Sequence, residues 1–272
     1  MDISLHIIAH IRTDLPEKFG VPRQSGLVPE LGGTVVFEPE YRNPDALRGL
    51  EGFSHLWLIF QFHRAVREEW SPTVRPPRLG GNRRMGVFAT RSPFRPNAIG
   101  LSCVALKGLR QDEKLGPVID VSGADLVDGT PILDIKPYLP YADCRMDATG
   151  GFTDPLGGQT LQVECDPTLL AGLTEEQRAG LRGVLSCDPR PRYQEDPERI
   201  YGLTFAGRNV RFTVDGGVLT VVAVGALMKF MSAYDTDAVA ALGIVKKLDM
   251  LPLYFSIGVS GGILPLLAYN YA

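Results

Sequence analysis

Gly52 to Arg64 reads GFSHLWLIFQFHR, and its Phe53–Phe62 portion is apolar on both faces of an extended chain. A short apolar run of this kind fits a strand with neighbours on both sides, so it is placed at the centre of a sheet. Working outward, similar runs occupy Ser4–Ile11, Gly33–Phe37, Met85–Ala89, Ile99–Gly108, Val118–Gly123 and Pro131–Pro137. Each is short and rich in β-branched or aromatic residues, and Gly, Pro, Asn or Asp separate most of them. No helix-length periodicity intervenes, apart from a turn near Asp45–Leu50. Seven strand-like runs with little helix predict a mainly β fold, a barrel or a sandwich, and argue against a doubly wound sheet.

The 30 glycines and 21 prolines among 272 residues agree with a turn-rich β architecture. The length suits one large domain or two ordinary ones. Cys103, Cys144, Cys165 and Cys187 form no CxxC pair, and the four histidines lack metal-ligand spacing. No metal site or disulfide framework is expected, and a reducing compartment, the cytoplasm, fits best. The opening MDISLHIIAHIRTD lacks the basic start and long apolar run of a signal peptide. His6 and His10 share the first strand and read as structural residues.

Beyond about residue 143 the pattern changes. Thr174 stands as an N-cap before Glu175, Glu176 and Gln177, with Leu181 and Leu185 at helical spacing, which predicts a helix from Thr174 to Val184. Strand-like runs follow at Tyr201–Phe205, Val210–Val214 and Val218–Val224. Residues 1–143 are therefore expected to form a barrel domain, and residues 144–224 a small α+β domain. Residues 225–272 form an apolar helical tail in this reading. Met250–Ala272 carries no charged residue, long enough for a transmembrane helix, with a buried core helix as the alternative.

Charge is distributed unevenly. Trp70–Gln111 contains no acidic residue but carries Arg75, Arg78, Arg83, Arg84, Arg91, Arg95, Lys107 and Arg110, on a chain of net charge −3. Cations concentrated in a Pro- and Gly-punctuated loop point to a phosphate- or carboxylate-bearing partner.

Three blocks carry a family resemblance: GFSHLWLIFQFHR at 52–64, RPPRLGGNRRMGVFATRSPFRPNAIGLS at 75–102, and DLVDGTPILDIKPYLPYAD at 125–143. Together they resemble the TsaA-like, or TrmO, tRNA methyltransferases. DPRPRYQEDPERIYGLTFAGRNVRFTV at 188–214 is similar to that family's small C-terminal domain. The resemblance spans about residues 1–224. It implies a β-barrel, S-adenosylmethionine as cofactor, and methylation of a threonylcarbamoyl-modified adenosine beside the tRNA anticodon. It also implies a homodimer.

By the same resemblance the cofactor lies among Pro22, Arg23, Gln24, His63, Arg64, Phe88, Thr90, Arg91, Leu101, Leu126, Val127, Asp128 and Gly129. The residue types suit such a ligand. Arg91 can hold a carboxylate through two parallel hydrogen bonds, Asp128 can accept from ribose hydroxyls or an ammonium, and Phe88 offers a flat apolar wall for adenine. A nitrogen in a urea-like group is a weak nucleophile, so transfer needs in-line positioning and help in removing a proton. Asp134, Lys136 and Tyr138 are the expected catalytic residues, with His63 and Asp128 as further bases. Asp134 and Lys136 share a strand face, which either lines the pocket or carries an exposed ion pair. Arg75, Arg78, Arg83, Arg84 and Arg95 are left for the phosphates of an anticodon stem-loop. Arg190, Arg192, Arg199, Arg208 and Arg211 add positive charge in the second domain.

The tail, GALMKFMSAYDTDAVAALGIVKKLDMLPLYFSIGVSGGILPLLAYNYA, resembles an internal piece of a MATE-type multidrug transporter. At about 48 residues it accommodates two helices and no conducting pathway. It reads as a fusion fragment, through which alone membrane contact is expected. A membrane-tethered RNA- or cofactor-binding module without activity is the alternative to a soluble methyltransferase.

Overall fold

The computed structural model describes residues 4–65, 69–76, 83–156, 160–190 and 196–226. Arg78, Arg192 and the expected apolar tail beyond Ala226 lie outside these, and Gly225 and Ala226 close a strand. Among the described residues no helix is long and apolar enough to cross a membrane.

Six strands close into a barrel: β1 (Ala9–Thr13), β2 (Gly32–Phe37), β3 (His55–Gln61), β6 (Ile99–Asp112), β7 (Gly116–Ser122) and β8 (Thr130–Pro137). Their order round the barrel is β1-β2-β7-β6-β3-β8. The apolar stretch that set the fold is β3, antiparallel to β6 on one side and β8 on the other. Its two apolar faces do different things. Leu56, Leu58 and Phe60 point into the barrel and are buried, whereas Trp57 and Ile59 on the outer face are only half-covered. Ala9, Ile11, Val35, Val104, Ile119, Val121 and Ile132 complete the interior.

Three boundaries depart from the sequence reading. The ladder begins at Ala9 instead of Ser4, and residues 4–7 are exposed. Met85–Gly86 is not a barrel strand. As β5 it pairs with β4 (Thr73–Val74) in a separate two-stranded ribbon, and Val87–Ala89 turns into a 3-10 helix. β6 runs on past Gly108, which marks a register shift against β7, not the end of the strand.

The chain after the barrel leaves through a single helical turn, α1 (Pro140–Asp143). A four-stranded sheet follows in the order β10 (Tyr201–Phe205), β11 (Arg208–Asp215), β12 (Val218–Ala226), β9 (Gln162–Glu164), with β9 parallel to β12. β9 is too short, at three residues, to stand out in the sequence. Helix α2 (Glu175–Ser186) begins at the expected N-cap: Thr174 Oγ1 accepts from the Gln177 amide, and the Gln177 side chain accepts from the Thr174 amide, each at 3.2 Å. This second core is not made of C-terminal residues alone. Leu15, Val28 and Leu31, from the long β1–β2 connection, are buried with Leu181, Val184, Leu203, Phe205 and Phe212. That connection, which also carries residues 22–26, is thereby packed into the second core.

Candidate functional site

The β1–β2 connection, the 83–98 loop and the segment from Asp125 to Gly129 meet around one carboxylate. Ser102 on β6, almost wholly buried, donates its hydroxyl to Asp125. Burial pushes the Asp125 carboxyl above its ordinary value; hydrogen bonds from Ser102 and from the Ser25 backbone, together with the Arg91 charge, pull the other way. Arg91 donates to the side-chain oxygen of Gln24. Ser25 Oγ accepts from the Cys103 amide at 3.1 Å, and Gly26 donates its amide to the Gly123 carbonyl at 2.9 Å. At that last contact a Cβ on Gly123 would lie 3.4 Å from Gly26, and Gly123 has a φ of +75°, so a close backbone approach is built in.

A second group forms beside the Asp128-Gly129 turn, where Gly129 takes a φ of +76°. Asp128 accepts from the Thr13 amide at 3.1 Å and faces Arg12 at 3.8 Å. Its own amide and that of Gly129 donate to Leu15 and Ile11 carbonyls, both at 2.8 Å. Asp14 lies close enough to feel the Asp128 charge; burial raises its carboxyl first, and Asp128 adds to this, against a hydrogen bond from Gln177. The same stretch reaches His63 and Arg64: the Arg64 guanidinium donates to the Pro16 carbonyl and Lys18 donates to that of Arg64. His63 Nε2 accepts from Arg64 Nε at 3.2 Å. Desolvation, then the charges of Arg64, His10 and Lys18, push the imidazole below its ordinary value. The His63 ring is therefore neutral at neutral pH.

The remaining expected cofactor residues are less uniform. Pro22 is buried and Arg23 half-buried. Leu126 is 2% exposed, so its side chain belongs to the barrel core and its carbonyl accepts from Thr13 Oγ1. Val127 uses its carbonyl to hold Thr130. The Thr90 hydroxyl donates to the Val87 carbonyl at 2.8 Å and so closes the 3-10 turn. Phe88 is 71% exposed, stacked on Trp70 at 6.2 Å between centroids, with the Arg95 guanidinium 5.9 Å from its ring centre. Leu101 is 51% exposed on the outside of the barrel.

The strand register sets the three expected catalytic residues in order. Leu101, Ile59 and Asp134 lie opposite one another across β6, β3 and β8, and Cys103, Trp57 and Lys136 form the next row. Two inter-strand spacings put the Leu101 and Asp134 backbones roughly 10 Å apart. Lys136 Nζ pairs with Asp134 Oδ2 at 2.9 Å, both partly exposed, while Asp134 Oδ1 accepts from the Ile135 amide. Tyr138 lies further along, packed on His55 and Trp57 at the end of β3 remote from His63. Its phenol is raised, chiefly by desolvation, so it remains protonated at neutral pH and can donate but not act as a base. The structure joins Asp134 to Lys136 and does not join Tyr138 to His63.

Of the basic residues, Arg75, Arg83 and Arg84 are exposed and have no acidic partner among the described residues. Arg95 is half-buried and donates to the Thr90 carbonyl at 3.0 Å. Arg110 is committed elsewhere, to Asp120 at 2.7 Å and Asp112 at 3.0 Å. His10 is paired with Glu38 at 2.6 Å. Asp125, Ser102 and Ser25 were missed in the sequence because Asp and Ser near a Gly read equally well as turn formers. Only the fold reveals that all three converge.

The two groups fit a zwitterionic nucleoside cofactor. The first presents a guanidinium and an amide, the second a carboxylate with backbone groups, and exposed Phe88 and Leu101 add apolar surface. Among the described residues no cluster of three or more His, Cys, Asp or Glu could hold a metal ion.

Comparison with known proteins identifies the family. Residues 10–144 match the tRNA-methyltransferase O N-terminal domain, and residues 158–227 match the TrmO C-terminal domain. The tRNA (adenine(37)-N6)-methyltransferase of Escherichia coli is 45% identical over 215 residues, 76% of this chain and 91% of the relative. The human enzyme of the same description is 37% identical over 191 residues, 68% of this chain and 41% of its own length. A crystal structure of TrmO from Pseudomonas aeruginosa superposes with a TM-score of 0.68 at 35% identity, covering 83% of this chain and 98% of that one. Matched in both its domains, and along nearly the full length of its bacterial relative, the chain belongs to the tRNA-methyltransferase O family.

Proposed function

We propose that this chain methylates the exocyclic nitrogen of a threonylcarbamoyl-modified adenosine next to the tRNA anticodon, with S-adenosylmethionine as donor. At the coarser level it is an S-adenosylmethionine-dependent tRNA adenine N6-methyltransferase, as its family membership and relatives indicate. The finer reading follows the resemblance of the sequence blocks, and one observation supports a built cofactor site beneath it. Segments far apart in sequence, 22–26, 88–91, 101–103 and 125–129, are joined by side-chain and backbone hydrogen bonds into one polar site beside an exposed apolar surface.

Bound S-adenosylmethionine supplies an electrophilic methyl group on a sulfonium. The chain's residues do the rest. Arg91, steadied by Gln24, holds a carboxylate, and Asp128, fixed by the Thr13 amide, accepts from hydroxyl or ammonium groups. Neutral His63 adds no positive charge beside a sulfonium. The acceptor nitrogen needs its proton removed as the new bond forms. Tyr138, protonated at neutral pH, is not assigned as that base in this reading. Asp134, in the row of Leu101 and oriented by Lys136, is the base in this reading.

The full chain is incubated with S-adenosylmethionine and anticodon stem-loops that do or do not carry the threonylcarbamoyl group. A gain of one methyl on the modified adenosine alone is expected. In Asp134→Asn the turnover number falls while cofactor affinity stays within about twofold. Equal methylation of both RNAs overturns the acceptor, and an unchanged turnover number overturns Asp134.

A further inference from the structure

A cavity of about 510 Å3 opens on the outer side of the barrel, between the 93–99 loop, residues 5–7 and Trp70. It is separate from the polar group around Asp125. Its size lies in the range of small-molecule sites. A break in the barrel ladder helps to form it. Ile59 pairs with Asp134 but Phe60 pairs with Ile132, so Leu133 is a bulged residue opposite neither. Freed from the ladder, Leu133 lines the cavity floor, and Asp134 is its immediate neighbour in the chain.

The walls are flat and apolar, with a few polar groups. Trp70 is 51% exposed and stacks on Phe88 at an interplanar angle of 26°. Planar groups left open to solvent serve unstacked nucleobases as stacking platforms. Asn97 at the lining carries a carboxamide that can pair with a donor and an acceptor on one base edge. Arg95 also lines the cavity and has no carboxylate partner among the described residues. The β4–β5 ribbon gives the approach a direction. Val74 pairs with Met85, so Arg75 and Arg84 follow at one end, while Trp70 and Phe88 sit towards the other.

We propose that this cavity receives an unstacked purine bearing an anionic substituent, stacked on Trp70, with Arg95 holding the substituent's carboxylate. This rests on the reading that the acceptor is a threonylcarbamoylated adenosine, whose substituent ends in a carboxylate. Arg95 is then what separates the modified base from plain adenosine: an uncharged base leaves the guanidinium without its anion. Glu69 at the lining suits the donors that such a substituent also carries, N–H and O–H groups.

Trp57 and Trp70 are the two tryptophans of the chain, so labelling with 5-fluorotryptophan gives one fluorine resonance for each. Trp57→Phe assigns them. The full labelled chain is titrated with the modified stem-loop and with the same RNA carrying plain adenosine. The modified RNA is expected to shift the Trp70 resonance saturably, and the plain RNA to bind with a smaller shift. Arg95→Ala is expected to weaken the modified RNA about tenfold or more and the plain RNA by less than about threefold. Arg95→Lys recovers part of the loss. A Trp70 resonance indifferent to both RNAs, or an Arg95→Ala loss equal for both, overturns the proposal, the latter by making Arg95 a phosphate contact. Methyl transfer measured on the same samples keeps the two readings apart. Transfer without a Trp70 response defeats the cavity alone, and a Trp70 response without transfer defeats the acceptor assignment alone.

Discussion

Ser102 and Asp125 are bonded side chain to side chain, a buried hydroxyl donating to a carboxylate that also faces the Ser25 backbone and the Arg91 charge. Burial raises the carboxyl, so the folded chain binds this proton more tightly than the unfolded chain does. The stability from that proton is complete below the ordinary value of 3.8 and is lost as pH rises through the folded-state value. At neutral pH an ionised Asp125 is thus a net cost, retained for what it positions. Asp125→Asn keeps an acceptor for Ser102 and removes the charge. The melting temperature at pH 7.5 is expected to hold or rise, while calorimetry shows cofactor affinity falling about tenfold. A melting temperature several degrees lower with cofactor binding intact would make Asp125 a purely structural residue.

Arg91 is exposed and its observed partner is Gln24, so little of the fold depends on it. The fork geometry of a guanidinium is what a carboxylate ligand needs, and lysine does not reproduce it. Arg91→Lys is expected to weaken S-adenosylmethionine by about 10- to 100-fold with no change in melting temperature. Titration of the purified variant checks this, and an unchanged dissociation constant removes Arg91 from the cofactor.

His63 gives the site a pH response of opposite sign to Asp125. Its pKa is lowered from 6.5, first by desolvation and then by Arg64, His10 and Lys18. The stability tied to the neutral ring is present above 6.5 and is lost as pH falls through the folded-state value. Protonation would also set a positive charge beside a cationic cofactor. Affinity for S-adenosylmethionine should be flat above pH 6.5 and decline below it, and His63→Gln should flatten the curve. A decline that survives in His63→Gln places the titrating group elsewhere.

The fold was legible wherever one residue type has one use. The apolar β3 and the Thr174-x-x-Gln177 cap each have a single physical reading, and both stand where expected. Met85–Ala89 misled because a β-branched, apolar run is equally good material for a ribbon and a 3-10 turn. Leu15, Val28 and Leu31 sit in a loop by composition, yet they fill the second core, a long-range fact that local periodicity cannot carry. The site follows the same rule. Arg91 and Asp128 are expected through the family resemblance, with residue types that suit the ligand, whereas Asp125 and Ser102 look like ordinary turn and strand residues until the barrel closes.

Gln177 links the helix cap to the site. Its side-chain oxygen accepts from the Thr174 amide, and its Nε2 donates to Asp14 at 3.1 Å. Thr174→Ala removes the cap alone and is expected to cost about 1 kcal/mol. Gln177→Ala removes part of the cap and also strips a hydrogen bond from a carboxylate already raised by burial and by Asp128. Its cost at pH 7 should exceed that of Thr174→Ala. The excess should shrink as pH falls through the folded-state value of Asp14, where protonation relieves the unmet charge. Denaturant melts of both variants at pH 7 and pH 4 decide it, and parallel losses at the two pH values would deny the link.

Arg75, Arg83 and Arg84 are exposed without acidic partners among the described residues, whereas Arg110 in the same acid-free stretch is held by Asp112 and Asp120. Unpaired arginines that neutralise phosphates release counterions, and each such contact steepens the salt dependence of binding. Arg83→Ala and Arg84→Ala should each reduce the slope of log affinity for tRNA against log salt by roughly 0.7 to 0.9. Arg110→Ala should leave that slope unaltered while losing stability through its two ion pairs. Cofactor affinity should not change in Arg83→Ala or Arg84→Ala. If all three variants shift the slope alike, the basic stretch acts through net charge. If Arg110→Ala alone leaves it in place, the phosphates meet the arginines that immediately precede β5, the strand that leads directly to Phe88.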